Sequence, residues 1–172
     1  MSGAKGVEER RTAVGGDGRE DTIALMELLF FAYRDFISDP DAILEEIGFG
    51  RAHHRIIHFV GRQPGLRVSE LLGILRITKQ SLGRVLRELI DKGYVFQQEG
   101  AHDRRQRLLY LTGKGQELLA RLSAPQIARV RRALDEAGPG AEAAFARVLE
   151  RIIDEGERDR VRQMTGREKR SG

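Results

Sequence analysis

Three histidines, His53, His54 and His58, share a stretch whose apolar residues recur at helical spacing. His54 and His58 stand at i and i+4, the separation at which two imidazoles on one helix face can hold a metal or a haem iron. No glutamate lies between them, and Asp35, Asp39 or Glu45 could supply oxygen ligands to such a site. The commoner reading is a set of hydrogen-bonded imidazoles at a subunit seam. Metal or haem binding and pH sensing are the alternatives. The 172-residue chain contains no cysteine, which removes disulfides, zinc–thiolate and iron–sulfur sites and a thiol nucleophile. There is no Gly-rich phosphate loop, and no His–Asp arrangement can be placed beside Ser69 or Ser81. The residues therefore support no enzyme and imply no cofactor.

The basic residues are more telling. Arg76, Lys79, Arg84, Arg87, Lys92, Arg104, Arg105 and Arg107 face only Glu88, Asp91, Glu99 and Asp103 in the same stretch. That local surplus equals the whole net charge of +4, so the rest of the chain balances. Such concentration is the footprint expected of nucleic-acid binding, with a solvated basic face as the alternative.

The elements that would position these residues follow from periodicity and punctuation. A helix over 21–37 carries Met26, Leu29, Phe30, Tyr33, Phe36 and Ile37 at 3–4 spacing, with Ile23, Leu25, Leu28 and Phe31 on its other faces. A helix apolar nearly all round is expected to bury more than one side, here at a subunit interface. Ser38-Asp39-Pro40-Asp41 should stop it and lead into a short turn through Ile47. A helix over 51–62 turns His53, Ile56, Ile57 and Val60 inward. A short helix over 68–75 follows, with Glu70 placed to reach back to its start. Thr78 caps a helix over 79–91, which Gly93 closes. Two strand-like runs, 94–98 and 107–111, flank a polar loop. Thr112 caps a further helix from about residue 114, kinked at Pro125. A last helix, 141–163, presents Phe145, Val148, Leu149, Ile152 and Ile153 on one face.

Short helix, tight turn, capped helix and basic hairpin make a winged helix-turn-helix: mainly α, with a small antiparallel β-hairpin. A 13-residue helix is roughly 20 Å long and fits a DNA major groove. The outward residues of 79–91 are Lys79, Gln80, Ser81, Arg84, Arg87 and Glu88. Gln80 can pair with adenine and Arg84 with guanine, while Thr78 and Ser81 can donate to phosphates. The wing, 97–107, offers His102, Arg104 and Arg105 to a narrow minor groove.

Several segments together resemble the MarR family of bacterial transcriptional regulators: Pro64–Leu71, Ile77–Ser81, Asp91–Val95, Asp103-Arg104-Arg105 and Leu111–Gly115. Phe30–Phe36 and Gly48–Arg55 look most like its PetP-like branch. The resemblance covers 21–155. It implies a homodimer with interlocked terminal helices (21–37 and 115–163) around a winged core (49–115). It also implies a pseudo-palindromic DNA operator, repression, and a small aromatic or anionic effector. In the family pattern Asp103 orients a basic partner and Arg105 enters the minor groove. Three departures stand out. Arg67 replaces the usual Ser or Thr, Phe49-Gly50 replaces the usual Leu-Thr, and His54 occupies a common aromatic position. The candidate effector residues are Tyr33, Arg34, His54 and His58. A winged-helix sensor or scaffold working through protein contacts is the reading from another class. Residues 1–20 are expected to be a disordered arm and 164–172 a frayed tail. With no apolar run of membrane length and no secretory signal, the expectation is a cytoplasmic protein.

Overall fold

A computed structural model describes residues 17–101 and 103–167. The chain divides into two compact units, one ending at Leu122 and the other beginning at Ser123. The first contains α1 (Asp17–Glu45), α2 (Arg51–Arg62), β1 (Leu66–Arg67), α3 (Val68–Leu75), α4 (Lys79–Asp91), β2 (Val95–Glu99) and β3 (Arg107–Leu111). It also takes in the start of α5 (Gly113–Ala137). The second holds the rest of α5, then α6 (Ala141–Ile152), a 3₁₀ turn (Glu155–Glu157) and α7 (Arg158–Thr165).

The sheet is antiparallel in the order β1-β3-β2. Its register pairs Val95 with Leu111 and Glu99 with Arg107. The hairpin matches the expectation within a residue. Two-residue β1 was not anticipated, because a pair of residues carries no period. It exists because Leu66 and Arg67 find the free edge of β3, opposite Leu109 and Leu108.

The core of the first unit is a continuous apolar cluster in which Ile56, Ile57 and Val60 of α2 meet Leu71 and Leu75 of α3. Leu82, Val85, Leu86 and Leu89 of α4, Val95, Leu109 and Leu111 of the sheet, and Leu118 and Leu122 of α5 complete it. Burying each such side chain is worth about 1.5–3 kcal/mol. The close packing leaves no room at two glycines. A Cβ on Gly61 would overlap Leu119, and one on Gly115 would overlap the carbonyl of Tyr94.

Pro40 does not end the first helix. The helix continues to Glu45 because Pro40 and Leu44 are completely buried, and that burial offsets the hydrogen bond proline cannot make. Residues 17–20, expected to be disordered, are helical, while residues 1–16 lie outside the described residues. The apolar surface of the first part of α1, in contrast, stays open among the described residues. Leu25, Leu28 and Phe30 are each more than 60 % exposed.

The expected 141–163 helix is broken. Ile153 adopts an extended conformation, and Arg158 donates to the carbonyls of Ile153 (3.0 Å) and Arg151 (3.1 Å). Its guanidinium thus takes up carbonyl oxygens at the end of α6, and the extended Ile153 and Asp154 lead through the 3₁₀ turn into α7. Met164 and Thr165 belong to α7 rather than to a frayed tail, and residues 168–172 lie outside the described residues. α5 runs through Pro125 as one helix. Gly138 and Gly140, both at positive φ, turn the chain as expected. Among the described residues, no helix is long and apolar enough to cross a membrane.

Candidate nucleic-acid interface

Thr78 opens α4. Its Oγ1 accepts the amide of Ser81 at 3.1 Å, and its proton goes to Ser81 Oγ at 2.9 Å. The Thr78 hydroxyl is therefore engaged in the cap, while Ser81 keeps its own proton for an outside acceptor. Lys92 and Gly93 close the helix, the Gly93 amide bonding Ile90 at 2.9 Å with φ of +75°. Leu82, Val85, Leu86 and Leu89 point inward, which leaves Lys79, Gln80, Ser81, Arg84 and Arg87 exposed. Gln80, Ser81, Gly83, Arg84, Arg87, Glu88 and Asp91 line a shallow concavity on this helix.

The helices behind α4 are capped by side chains of their own, and one of these caps reaches α4 itself. The Arg67 amide donates to Glu70 Oε2 at 2.9 Å, half of a capping box, so Glu70 supplies what the Arg67 side chain cannot. Gly50 likewise gives α2 no side-chain cap, and the His53 ring takes the compensating role. The Gly50 amide donates to His53 Nδ1 at 3.1 Å. That bond places the ring proton on Nε2, which donates to Glu88 Oε2 at 2.7 Å. His53 is 7 % exposed, and Phe49 stacks on it at 4.3 Å. Lys92 Nζ sits 4.5 Å from the centre of the Phe49 ring on the other arm of this cluster. The hydrogen bond from His53, more than any charge, holds the Glu88 carboxyl below its ordinary range. The other Glu88 oxygen meets Arg84 Nη1 at 3.4 Å. The sequence places Glu88 on the outward face but gives no sign of its bond to a residue 35 positions away.

In the wing, Asp103 Oδ1 accepts the backbone amide of Arg105 at 2.9 Å, and Gln106 N–H returns to the Asp103 carbonyl at 3.0 Å. Asp103 thus shapes the turn through the backbone of its basic neighbour. Arg104 and Arg105 are left exposed, and His102 lies outside the described residues. Arg107 is paired with Glu99 across the hairpin at 2.9 Å. Where the hairpin joins α5, Thr112 Oγ1 accepts the Gly115 amide at 3.1 Å and donates to the Gly93 carbonyl at 2.6 Å.

His54 and His58 are half-buried on α2. Burial lowers both imidazole pKa values, helped at His54 by the charge of His58 and at His58 by that of Arg62. Tyr33 and Arg34 sit on the exposed stretch of α1, where Arg34 pairs with Asp35 at 2.8 Å and lies 5.0 Å from the Phe31 ring centre. Among the described residues, no hydrogen bond, ion pair or ring contact joins Tyr33 or Arg34 to His54 or His58. Among the described residues, no group of three or more His, Asp or Glu side chains could hold a metal ion.

Known proteins resemble the chain in sequence and in fold. The sequence pattern of the MarR family matches residues 47–106. The chain is 53 % identical over 129 residues to the HTH-type transcriptional regulator PetP of Rhodobacter capsulatus, spanning 75 % of this chain and 78 % of that protein. The fold is similar to that of Streptococcus pneumoniae FabT, solved in complex with DNA, with a TM-score of 0.68 at 21 % identity over 77 % of this chain and 94 % of FabT. It is also similar to the Mycobacterium tuberculosis MarR-family protein Rv2887 in complex with p-aminosalicylic acid, with a TM-score of 0.53 at 26 % identity over 74 % of this chain and 97 % of Rv2887. The chain belongs to the MarR family of transcriptional regulators.

Proposed function

We propose that the protein is a homodimeric repressor that binds a pseudo-palindromic operator, with α4 in the major groove and the wing arginines in the flanking minor groove. The observation that carries this reading is the exposed face of α4. Gln80, Ser81, Arg84 and Arg87 project from a helix whose opposite side is locked into the core and whose N-terminus is capped. Lys79 and Ser81 suit phosphates, Gln80 and Arg84 suit base edges, and Arg104 and Arg105 suit a groove of strong negative potential. The exposed Leu25, Leu28, Leu29, Phe30 and Phe31 of α1 supply the apolar surface that a second copy would cover. The test is selection of tight-binding duplexes from a random pool, followed by titration across salt concentrations. Specific binding that weakens steeply with salt is expected. No binding even at low salt would overturn the reading and favour a scaffold that works through protein contacts.

Ligand gating is a second reading, favoured by His54 and His58. Two half-buried imidazoles held towards neutrality form a polar spot on the helix that also carries His53 against α4. An aromatic acid is the effector class that fits, with Tyr33 and Arg34 contributing a ring and a cation from α1. Rv2887, solved with p-aminosalicylic acid, is a precedent within the family. The expected result is weaker DNA binding with salicylate or p-aminosalicylate in the wild type, and a loss of that effect in His54→Ala or Arg34→Ala. An equal response in all three proteins would move the pocket elsewhere.

A further inference from the structure

Glu88 is an anomaly on the face of α4. It is a carboxylate set among Arg84, Arg87 and Lys92, on the surface assigned to a polyanion. A phosphate backbone repels it, so its presence there costs affinity. It is also not free to swing aside. Oε2 receives the Nε2 proton of His53 at 2.7 Å. His53 is in turn fixed by the Gly50 amide and by the stacked Phe49 ring, and is almost wholly buried. The second oxygen, held by the first, faces the Arg84 guanidinium at 3.4 Å. A chain of contacts thus runs from the N-terminus of α2 through the core boundary to the guanidinium proposed to read a base.

We propose that Glu88 is a positioning and selectivity residue: clamped by His53, it holds Arg84 on the α4 face and makes indiscriminate phosphate contact unfavourable. The inference rests on the DNA-binding reading above. Its logic is a difference of two affinities. On arbitrary DNA, Arg84 offers one charge–charge contact to a phosphate, and that contact has to compete with Glu88. At a guanine placed to accept two hydrogen bonds, the fork-shaped guanidinium gains a bidentate partner that outweighs the loss. Glu88 therefore penalises wrong sites more than right ones. A carboxylate that merely stabilised the fold would lower or raise both affinities together.

The test uses the full-length chain, the best duplex from the random-pool selection and a scrambled duplex of equal length, titrated side by side. Glu88→Gln keeps an acceptor for His53 but removes the charge. It should bind the scrambled duplex at least about threefold more tightly, and its selected-to-scrambled ratio should fall about tenfold. Glu117→Gln makes the same charge change on α5 and should shift both duplexes by one common factor. In an Arg84→Ala background, Glu88→Gln should leave the ratio unchanged, since its partner is gone. Glu88→Asp retains the charge but shortens the arm between His53 and Arg84, so it should lower the ratio without tightening scrambled binding. This second variant decides the matter if Glu88→Gln melts below the assay temperature. Should Glu88→Gln track Glu117→Gln, or its effect simply add to that of Arg84→Ala, Glu88 has no such role although the DNA reading stands. If the wild type itself shows no preference for the selected duplex, the DNA reading falls and this inference falls with it.

Discussion

Arg55 donates from Nη2 to the carbonyl oxygen of Leu75 at 3.0 Å, tying α2 to the last turn of α3. The next residue, Arg76, has φ of +50° and is the one described non-glycine residue in the left-handed region. Its amide still reaches the Leu72 carbonyl, so the tight turn before Thr78 is built on a conformation that costs an L-residue about 1–2 kcal/mol. Arg76→Gly should therefore stabilise the protein by up to about 1 kcal/mol, after glycine's own chain-entropy cost. Chemical denaturation of both proteins at matched concentration checks this. A destabilised variant would show that the Arg76 side chain contributes more than its backbone costs.

DNA contacts should separate by kind. Arg84→Ala should cost about 1–3 kcal/mol on the selected duplex and relax the preference at one position per half-site. Arg105→Ala should instead weaken binding on all sequences and reduce the slope of log affinity against log salt by roughly one for each phosphate no longer neutralised. Anisotropy titrations on single-base variants of the operator distinguish the two. Identical behaviour of both mutants would mean that α4 and the wing have been assigned the wrong roles.

Assembly should depend on α1 and α6. Phe30→Asp, or Leu149→Asp on the exposed face of α6, should convert the proposed dimer of twice 19.4 kDa into a 19.4 kDa species in sedimentation. The core from Leu44 to Leu122 contains neither residue, so a cooperative thermal transition should survive. A dimer that withstands both substitutions would place the interface elsewhere.

Acid should destabilise the protein in two steps. His54 and His58 have pKa values lowered by burial, so the unfolded chain binds more protons below the ordinary imidazole value of 6.5. Their contribution is complete above that pH and is lost as pH falls through the lowered values. The thermal midpoint should drop on going from about pH 7 to pH 5, and His54→Gln with His58→Gln should flatten that limb.

Glu88 governs the lower window. Its pKa is held below the ordinary 4.5, first by the His53 hydrogen bond, so its stabilisation is present above that value and disappears as pH falls through the depressed one. Glu88→Gln should leave the histidine limb intact and remove part of the fall below about pH 4.5. An acid limb unchanged in Glu88→Gln would mean that the bond to His53 is not kept in solution.

Much of this architecture is legible in the chain because its signals are local. The 3–4 spacing of Leu82, Val85, Leu86 and Leu89, the cap at Thr78 and the stop at Gly93 each lie within a turn or two of what they specify. What escaped was decided at a distance. Pro40 reads as a stop until its ring is seen in the core, and Ile153 reads as one more apolar position until Arg158 takes its carbonyl. The same holds at the interface. Composition and spacing single out Gln80, Arg84 and Arg105 as candidates, and the fold leaves them exposed, but the His53–Glu88 bond joins residues on separate helices and leaves no periodic trace.

The two residues of β1 have a consequence for how the molecule breathes. By pairing with β3, they return the wing to the start of α3, so the path α3, α4, β2, β3 closes on itself. Neither the helix-turn-helix nor the hairpin can open without the other losing partners. Amide protons of α4, β2 and β3 that need this opening to exchange should therefore report one common opening free energy. The first half of α1, with so little of its apolar surface covered by its own chain, would exchange on a faster clock that slows as protein concentration rises.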